Sequence, residues 1–253
     1  MKSFGGECME DLVFGRNSVI ELLNSDRTIN KLFIQKGETH GSIGKVIDLA
    51  RKKKIVISEV QKAKLDEMTD NQNHQGVVAV TSPYKYCEID DILEVASSRG
   101  EAPFIIIADG IEDPHNLGAM IRTAECMGVH GIIIPKRRAV AVTNTVAKVA
   151  AGALEHMKIA RVNNINDSIE ELKEKGVWIV GTDASGSDFL TDVDMKGPTA
   201  VVIGSEGEGM ASLTRKRCDF LAKIPMKGKI TSLNASVTCG MVIYEVARQR
   251  GNR

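Results

Sequence analysis

Short apolar runs alternate with apolar positions at helical spacing along almost the whole chain. Within residues 11–82, Val19, Ile20, Leu22 and Leu23 predict a helix over 17–23. A strand follows at 31–35, then an amphipathic helix over 43–53 whose last turn is basic, which suits its macrodipole. A strand at 55–57, a helix at 62–68 and a strand at 76–80 complete an α/β unit. The polar stretch 71–76 joins the last helix to the last strand and closes on Gly76; His74 there reads as structural or RNA-facing.

The short segment 83–88 contains Pro83, Tyr84 and Lys85 and reads as a linker. Beyond it a helix is expected near 90–97, then a fully apolar strand at 104–108 and a helix over 116–127. Strands at 131–135, 158–162, 177–182 and 199–203 alternate with helices at 143–154 and 168–175. Uninterrupted apolar strands between helices predict a parallel sheet buried on both faces, with ligands bound beyond the strand C-terminal ends. The division expected is 1–83 as a first domain, with 1–8 a tail and Met9 an alternative start. Residues 84–100 form a linker and lead-in helix, and 101–253 the second domain.

The last stretch organises the rest. Pro225 ends a short apolar strand because it can donate no ladder hydrogen bond. Gly228 permits a tight loop, and Ser232 or Asn234 is placed to cap a helix running to Arg250. Val237, Met241, Tyr244 and Val246 predict its buried face, and Met241–Tyr244 make it apolar nearly all round. A loop between such a strand and a capped helix presents free backbone groups to a small polar ligand.

Charge adds one constraint. The 33 basic residues balance 33 acidic ones, and the first 83 residues hold 12 against 11, so nucleic-acid binding must rest on local patches. Three candidates are 51–54, 136–138 and 215–217, each also readable as a solvated helix end or loop. The cysteines at 8, 87, 126, 218 and 239 lack metal-ligand spacing and read as buried free thiols in a reducing cytosol. No apolar run approaches the ~18 residues of a membrane span, and the expected location is the cytoplasm.

Three stretches carry chemistry. One reads N-x-G-x-x-x-R-T-A from Asn116 through Arg122, another G-S-E-G-x-G from Gly204, and the third I-P-M-x-G-x-x-x-S-L-N-x-S from Ile224. Together, and in this order, they resemble the SpoU (TrmH-like) family of RNA ribose 2′-O-methyltransferases, within the SPOUT superfamily. The resemblance implies an N-terminal substrate-binding domain similar to ribosomal protein L30e and a C-terminal SPOUT domain with a deep trefoil knot. It further implies a homodimer with the site at the interface, an RNA substrate and S-adenosylmethionine (AdoMet) as methyl donor, with no metal required. By resemblance Gly204, Ile224 and Leu233 hold the donor, with Met226, Ser232 and Thr182 beside them. Asn116, Arg122, Glu206 and Asn234 then form the reaction site. The two-domain layout implies 23S ribosomal RNA, with a guanosine as target. Related enzymes act on transfer RNA, or on a ribosomal adenosine to confer antibiotic resistance.

The residues themselves leave choices open. Asn116 reads as a helix cap, as a site residue, or as both. Glu206 reads equally as an orienting carboxylate or as one arm of a loop salt bridge. Arg122 keeps its proton at any ordinary pH, so phosphate binding and alkoxide stabilisation suit it better than proton abstraction. An RNA-binding assembly protein without catalysis is the rival class. A dinucleotide-binding reading fails because the glycine order is G-x-x-G-x-G and comes late in the chain.

Overall fold

The computed structural model describes residues 11–25, 27–38, 41–82, 84–230 and 232–251. The tail 1–8, Met9, Cys8 and Pro83 lie outside these. The chain divides into two compact units, one of 1–85 with 141–145, the other of 86–140 with 146–253.

The first unit runs β1 (Asp11–Phe14), α1 (Arg16–Asn24), β2 (Ile29–Gln35), α2 (Ser42–Lys52), β3 (Ile57–Val60), α3 (Lys62–Met68) and β4 (Val77–Thr81). Its sheet has the order β1-β4-β2-β3; β4 is antiparallel to both neighbours, and β2 is parallel to β3. Val19 and Leu23 of α1 and Ile43 and Val46 of α2 pack with Leu32, Ile34, Val77 and Ala79. Strand β1 went unread because four residues ending at a glycine give too short a period to detect. His74 is structural: it is buried, its Nδ1 accepts from the Gly76 N–H at 3.0 Å, and its Nε2 lies 3.0 Å from Asp66 Oδ1.

The second unit starts with α4 (Ile89–Arg99), β5 (Phe104–Asp109), α5 (Pro114–Cys126) and β6 (Gly131–Pro135). It continues through α6 (Asn144–Ala150), whose first two residues are counted with the first unit, β7 (Lys158–Val162), α7 (Ile165–Glu174), β8 (Trp178–Thr182), β9 (Asp188–Phe189) and β10 (Thr199–Gly204). Helix α8 (Ser212–Arg217), β11 (Phe220–Lys223) and α9 (Ala235–Gln249) close the chain. All neighbours in its seven-stranded sheet, ordered β7-β6-β5-β10-β8-β11-β9, are parallel, as the apolar strands predict. The central strands β5 and β10 are buried almost throughout. In the segment expected as linker and lead-in helix, Cys87 bridges to Ala160, and Ile89 and Ile92 enter the core with Ile105, Ile133 and Leu172.

Three expectations change. The helix predicted over 143–154 stops at Ala150, because Ala151 and Gly152 take left-handed backbone before a 3₁₀ turn, Ala153–Glu155. On α9 the buried face is Cys239, Val242, Ile243 and Val246, whereas Val237, Met241 and Tyr244 are 50%, 42% and 65% exposed. The helix is apolar on both sides, so periodicity alone cannot select the covered one. Cys126 is exposed, while burial pushes the Cys87 thiol to about 11 and those of Cys218 and Cys239 to about 12. No helix among the described residues is long and apolar enough to cross a membrane.

Candidate active site

Because the sheet is parallel, the C-terminal ends of its strands share one edge. A cleft of about 1390 Å³ opens there, walled by the residues just beyond β5, β6, β7, β8, β10 and β11. Gly204, Thr182, Ile224, Met226, Ser232 and Leu233 all line it, as do Asn116 and Glu206. Ile224 and Leu233 are half-buried, and Met226 is partly exposed. The Thr182 hydroxyl donates to Val202 O at 3.0 Å, which holds the end of β8 against β10.

Helix α5 begins at Pro114, two residues before the start its apolar pattern predicts. Asp113 is its N-cap, accepting from the His115 N–H at 2.9 Å, and Pro114 fills the first helical position, where no donor is needed. Asn116 is therefore not a cap. Its side chain is buried and free to bond outward: Nδ2 donates to Glu206 Oε1 at 2.9 Å, and Oδ1 accepts from Asn234 Nδ2 at 2.9 Å. Asn234 also donates to Glu206 Oε1, and the Ala235 N–H reaches the same oxygen at 3.3 Å. Asn234, rather than Ser232, caps α9, its Oδ1 accepting from the N–H groups of Ser236 at 2.9 Å and Val237 at 3.2 Å. Among the described residues Glu206 makes no salt bridge; it is the acceptor that gathers two asparagines and a helix terminus.

Between strand and cluster, the loop folds back tightly. Ser205 and Gly209 exchange backbone hydrogen bonds at 3.1 and 3.0 Å, and the Ala211 N–H donates to Asp109 Oδ2 at 2.9 Å. A Cβ at Gly204 would lie 2.3 Å from the Gly209 carbonyl carbon and 2.4 Å from the Met210 nitrogen. Gly204 is therefore required by its own loop, which the sequence pattern could not show. Gly204→Ala is expected to lower stability by about 3 kcal/mol through forced overpacking. Thermal unfolding should show a fall of roughly 6–12 °C.

Arg122 stands apart. Six residues beyond Asn116 is about 1.7 turns and ~9 Å of helix. The side chain is exposed, is not on the cleft wall, and makes no hydrogen bond or ion pair among the described residues. Helix α5 packs against α9, where the next residue, Thr123, stands beside Gly240. Among the described residues no group of His, Cys, Asp or Glu could hold a metal ion.

Comparison with known proteins agrees with this geometry. Residues 103–244 match the SpoU rRNA Methylase family, and residues 12–87 match the RNA 2′-O ribose methyltransferase substrate binding family. A putative TrmH family tRNA/rRNA methyltransferase of Bacillus subtilis, YacO, is 52% identical over 95% of this chain and 96% of its own length. The AdoMet-bound rRNA methyltransferase from Sinorhizobium meliloti superposes with a TM-score of 0.59 at 25% identity, covering 94% of this chain and 86% of that one. The A. aeolicus TrmH/SpoU tRNA modifying enzyme, 29% identical with a TM-score of 0.54, covers 60% of this chain and 77% of its own. With the three motif stretches meeting at one sheet edge and the family match spanning more than half its residues, the chain belongs to the SpoU rRNA methylase family.

Proposed function

We propose that the protein transfers a methyl group from AdoMet to a ribose 2′-hydroxyl of RNA, with a guanosine of 23S ribosomal RNA as target. One observation carries the reading: Asn116, Glu206 and Asn234, from three separate stretches, form one hydrogen-bonded cluster at the mouth of the cleft. Bound in that cleft, AdoMet supplies an electrophilic methyl group on its sulfonium. The residues fit such a guest: half-buried Ile224 and Leu233 offer an apolar wall for a flat ring, and Gly204, Met226 and Ser232 line the cleft with them. Asn116, Glu206 and Asn234 hold the strand-end loop and the start of α9 in one arrangement, so the reacting groups meet in register.

Arg122 supplies positive charge for the RNA phosphate and for the 2′-oxygen, whose proton passes to a substrate phosphate or water as the methyl group moves and S-adenosylhomocysteine leaves. Because it lies off its own cleft, the reading needs a second copy of the chain. The exposed stripe Val237, Met241 and Tyr244 on α9, beside α5, is the surface proposed to pair. The deep trefoil knot belongs to the same reading. The ribosomal target is supported by extent of match, since the tRNA modifying enzyme parallels 60% of this chain and the Sinorhizobium rRNA methyltransferase 94%.

The test is incubation of the full chain with AdoMet labelled in its methyl group and purified 23S RNA, 16S RNA or transfer RNA, followed by mapping of the label. Label in a 23S ribose 2′-oxygen is expected. Uptake by transfer RNA with none by 23S RNA overturns the choice of RNA. AdoMet binding without uptake by any RNA overturns the catalytic reading in favour of an assembly factor.

A further inference from the structure

The three basic patches of the sequence part company in the structure. Arg215 is spent on Asp183 at 3.2 Å and on Ser185 Oγ at 2.7 Å; Arg217 is spent on Glu170 at 2.7 Å. In the patch on the first unit, Lys53 Nζ donates to Ser25 O at 3.0 Å. Arg137 and Arg138 are exposed and, like Arg51, Lys52, Lys54 and Lys216, their side chains make no hydrogen bond or ion pair among the described residues; they differ in lining the cleft at the sheet edge.

Their loop is built rather than loose. The Lys136 N–H donates to Val162 O at 2.8 Å, and the Val140 N–H donates to Ile111 O at 2.8 Å. One tether fixes the loop to the end of β7 and the other to the turn that leads into α5 and Asn116. Arg138 holds a left-handed backbone, φ 54°, which a non-glycine residue adopts only at a cost. The pair is thereby presented at the cleft, whose wall includes both residues.

The other charged residues of that wall are Asp109, Glu112, Asp113, Glu206 and Glu208, together with Asp183 and Arg215, which pair with each other. A polyanion entering the cleft is repelled along those walls and attracted at the 137–138 tip. We propose that Arg137 and Arg138 form a phosphate-binding arm that grips the backbone of the substrate RNA beside the target nucleotide, and so fixes how the strand crosses the cleft. This rests on the RNA methyltransferase reading. A guanidinium fork suits a phosphate, and a lysine in its place keeps the charge but loses the two-point geometry. Contacts of this kind position a strand and carry no base identity.

The experiment uses the full chain and the RNA that takes up label in the assay above. Arg137→Ala/Arg138→Ala is compared with wild type by filter binding across about 0.05–0.3 M salt, where each phosphate contact contributes ~0.7–0.9 to the logarithmic slope. The double variant is expected to lose about 1.4–1.8 of that slope and to bind roughly 15- to 30-fold more weakly at ~0.15 M salt. KM for RNA should rise in step, while kcat at saturating RNA and the calorimetric affinity for AdoMet stay unchanged. Arg137→Lys/Arg138→Lys should restore most of the slope and part of the affinity. An unchanged slope and KM in the alanine variant, with wild type active, overturns the arm alone. A wild type that labels no RNA instead brings down the reading beneath it.

Discussion

Arg122→Ala is expected to lower kcat roughly 30- to 100-fold while leaving AdoMet affinity at its wild-type value, from the ~2–3 kcal/mol of a charge-assisted contact made in the transition state. Exposure and the lack of an ion pair mean that nothing in the single chain depends on this guanidinium, so its removal should also leave the melting temperature in place. The sharper form of the prediction concerns where it acts. If Arg122 works in the cleft of a partner chain, a dimer of one Arg122→Ala chain and one Glu206→Ala chain contains one intact site. Random mixing of the two dead variants should then recover about a quarter of wild-type activity. Absence of recovery, with sedimentation showing exchanged dimers, would place Arg122 in its own chain's site. A wild-type protein that sediments as a monomer at micromolar concentration removes the partner altogether.

Much of the second unit is legible because fully buried parallel strands announce themselves: β5 carries Phe-Ile-Ile-Ile-Ala, and β6 carries three isoleucines before Pro135. The motif residues are legible because three distant stretches must each place particular side chains at one sheet edge. What escapes is set by context. The two-residue β9 and the six-residue α8 hold too few positions for a period to form. On α9 both faces are apolar, and the choice between them depends on α5 and β10, which no window on α9 contains. The cap of α5 was placed three residues late because Pro114 looks like a loop residue, although it is well suited to the first helical position. Gly204 was recognised, but its reason was not: the atoms a side chain would strike belong to Gly209 and Met210 of its own loop. Arg137 and Arg138 look like any basic pair until the fold places them on the wall of the cleft.

The cluster around Glu206 gives the second large effect. One carboxylate oxygen receives Asn116 Nδ2, Asn234 Nδ2 and the Ala235 N–H, so Glu206→Ala leaves three donors short of their acceptor. Of these donors Asn116 and Ala235 belong to buried residues, where an unpaired donor costs ~1–3 kcal/mol, whereas Asn234 is exposed and can turn to water. With part of that cost relieved by water, a net ~3–4 kcal/mol lost at the transition state would lower kcat/KM by about 10²- to 10³-fold. Glu206→Gln keeps the length of the side chain and one carbonyl acceptor, so it should stay within roughly tenfold of wild type if the role is to hold Asn116 and Asn234 in place. Equal damage from Gln and Ala would defeat that assignment and indicate that the negative charge itself is needed. Asn234→Asp separates the cluster from the cap. Aspartate caps a helix as well as asparagine does, so thermal stability should change little. The same substitution removes both amide donors and sets a second carboxylate against Glu206, so activity should fall as far as in Glu206→Ala. Loss of stability and activity together would mean that the cluster serves the fold of α9 and not the positioning of the reacting groups.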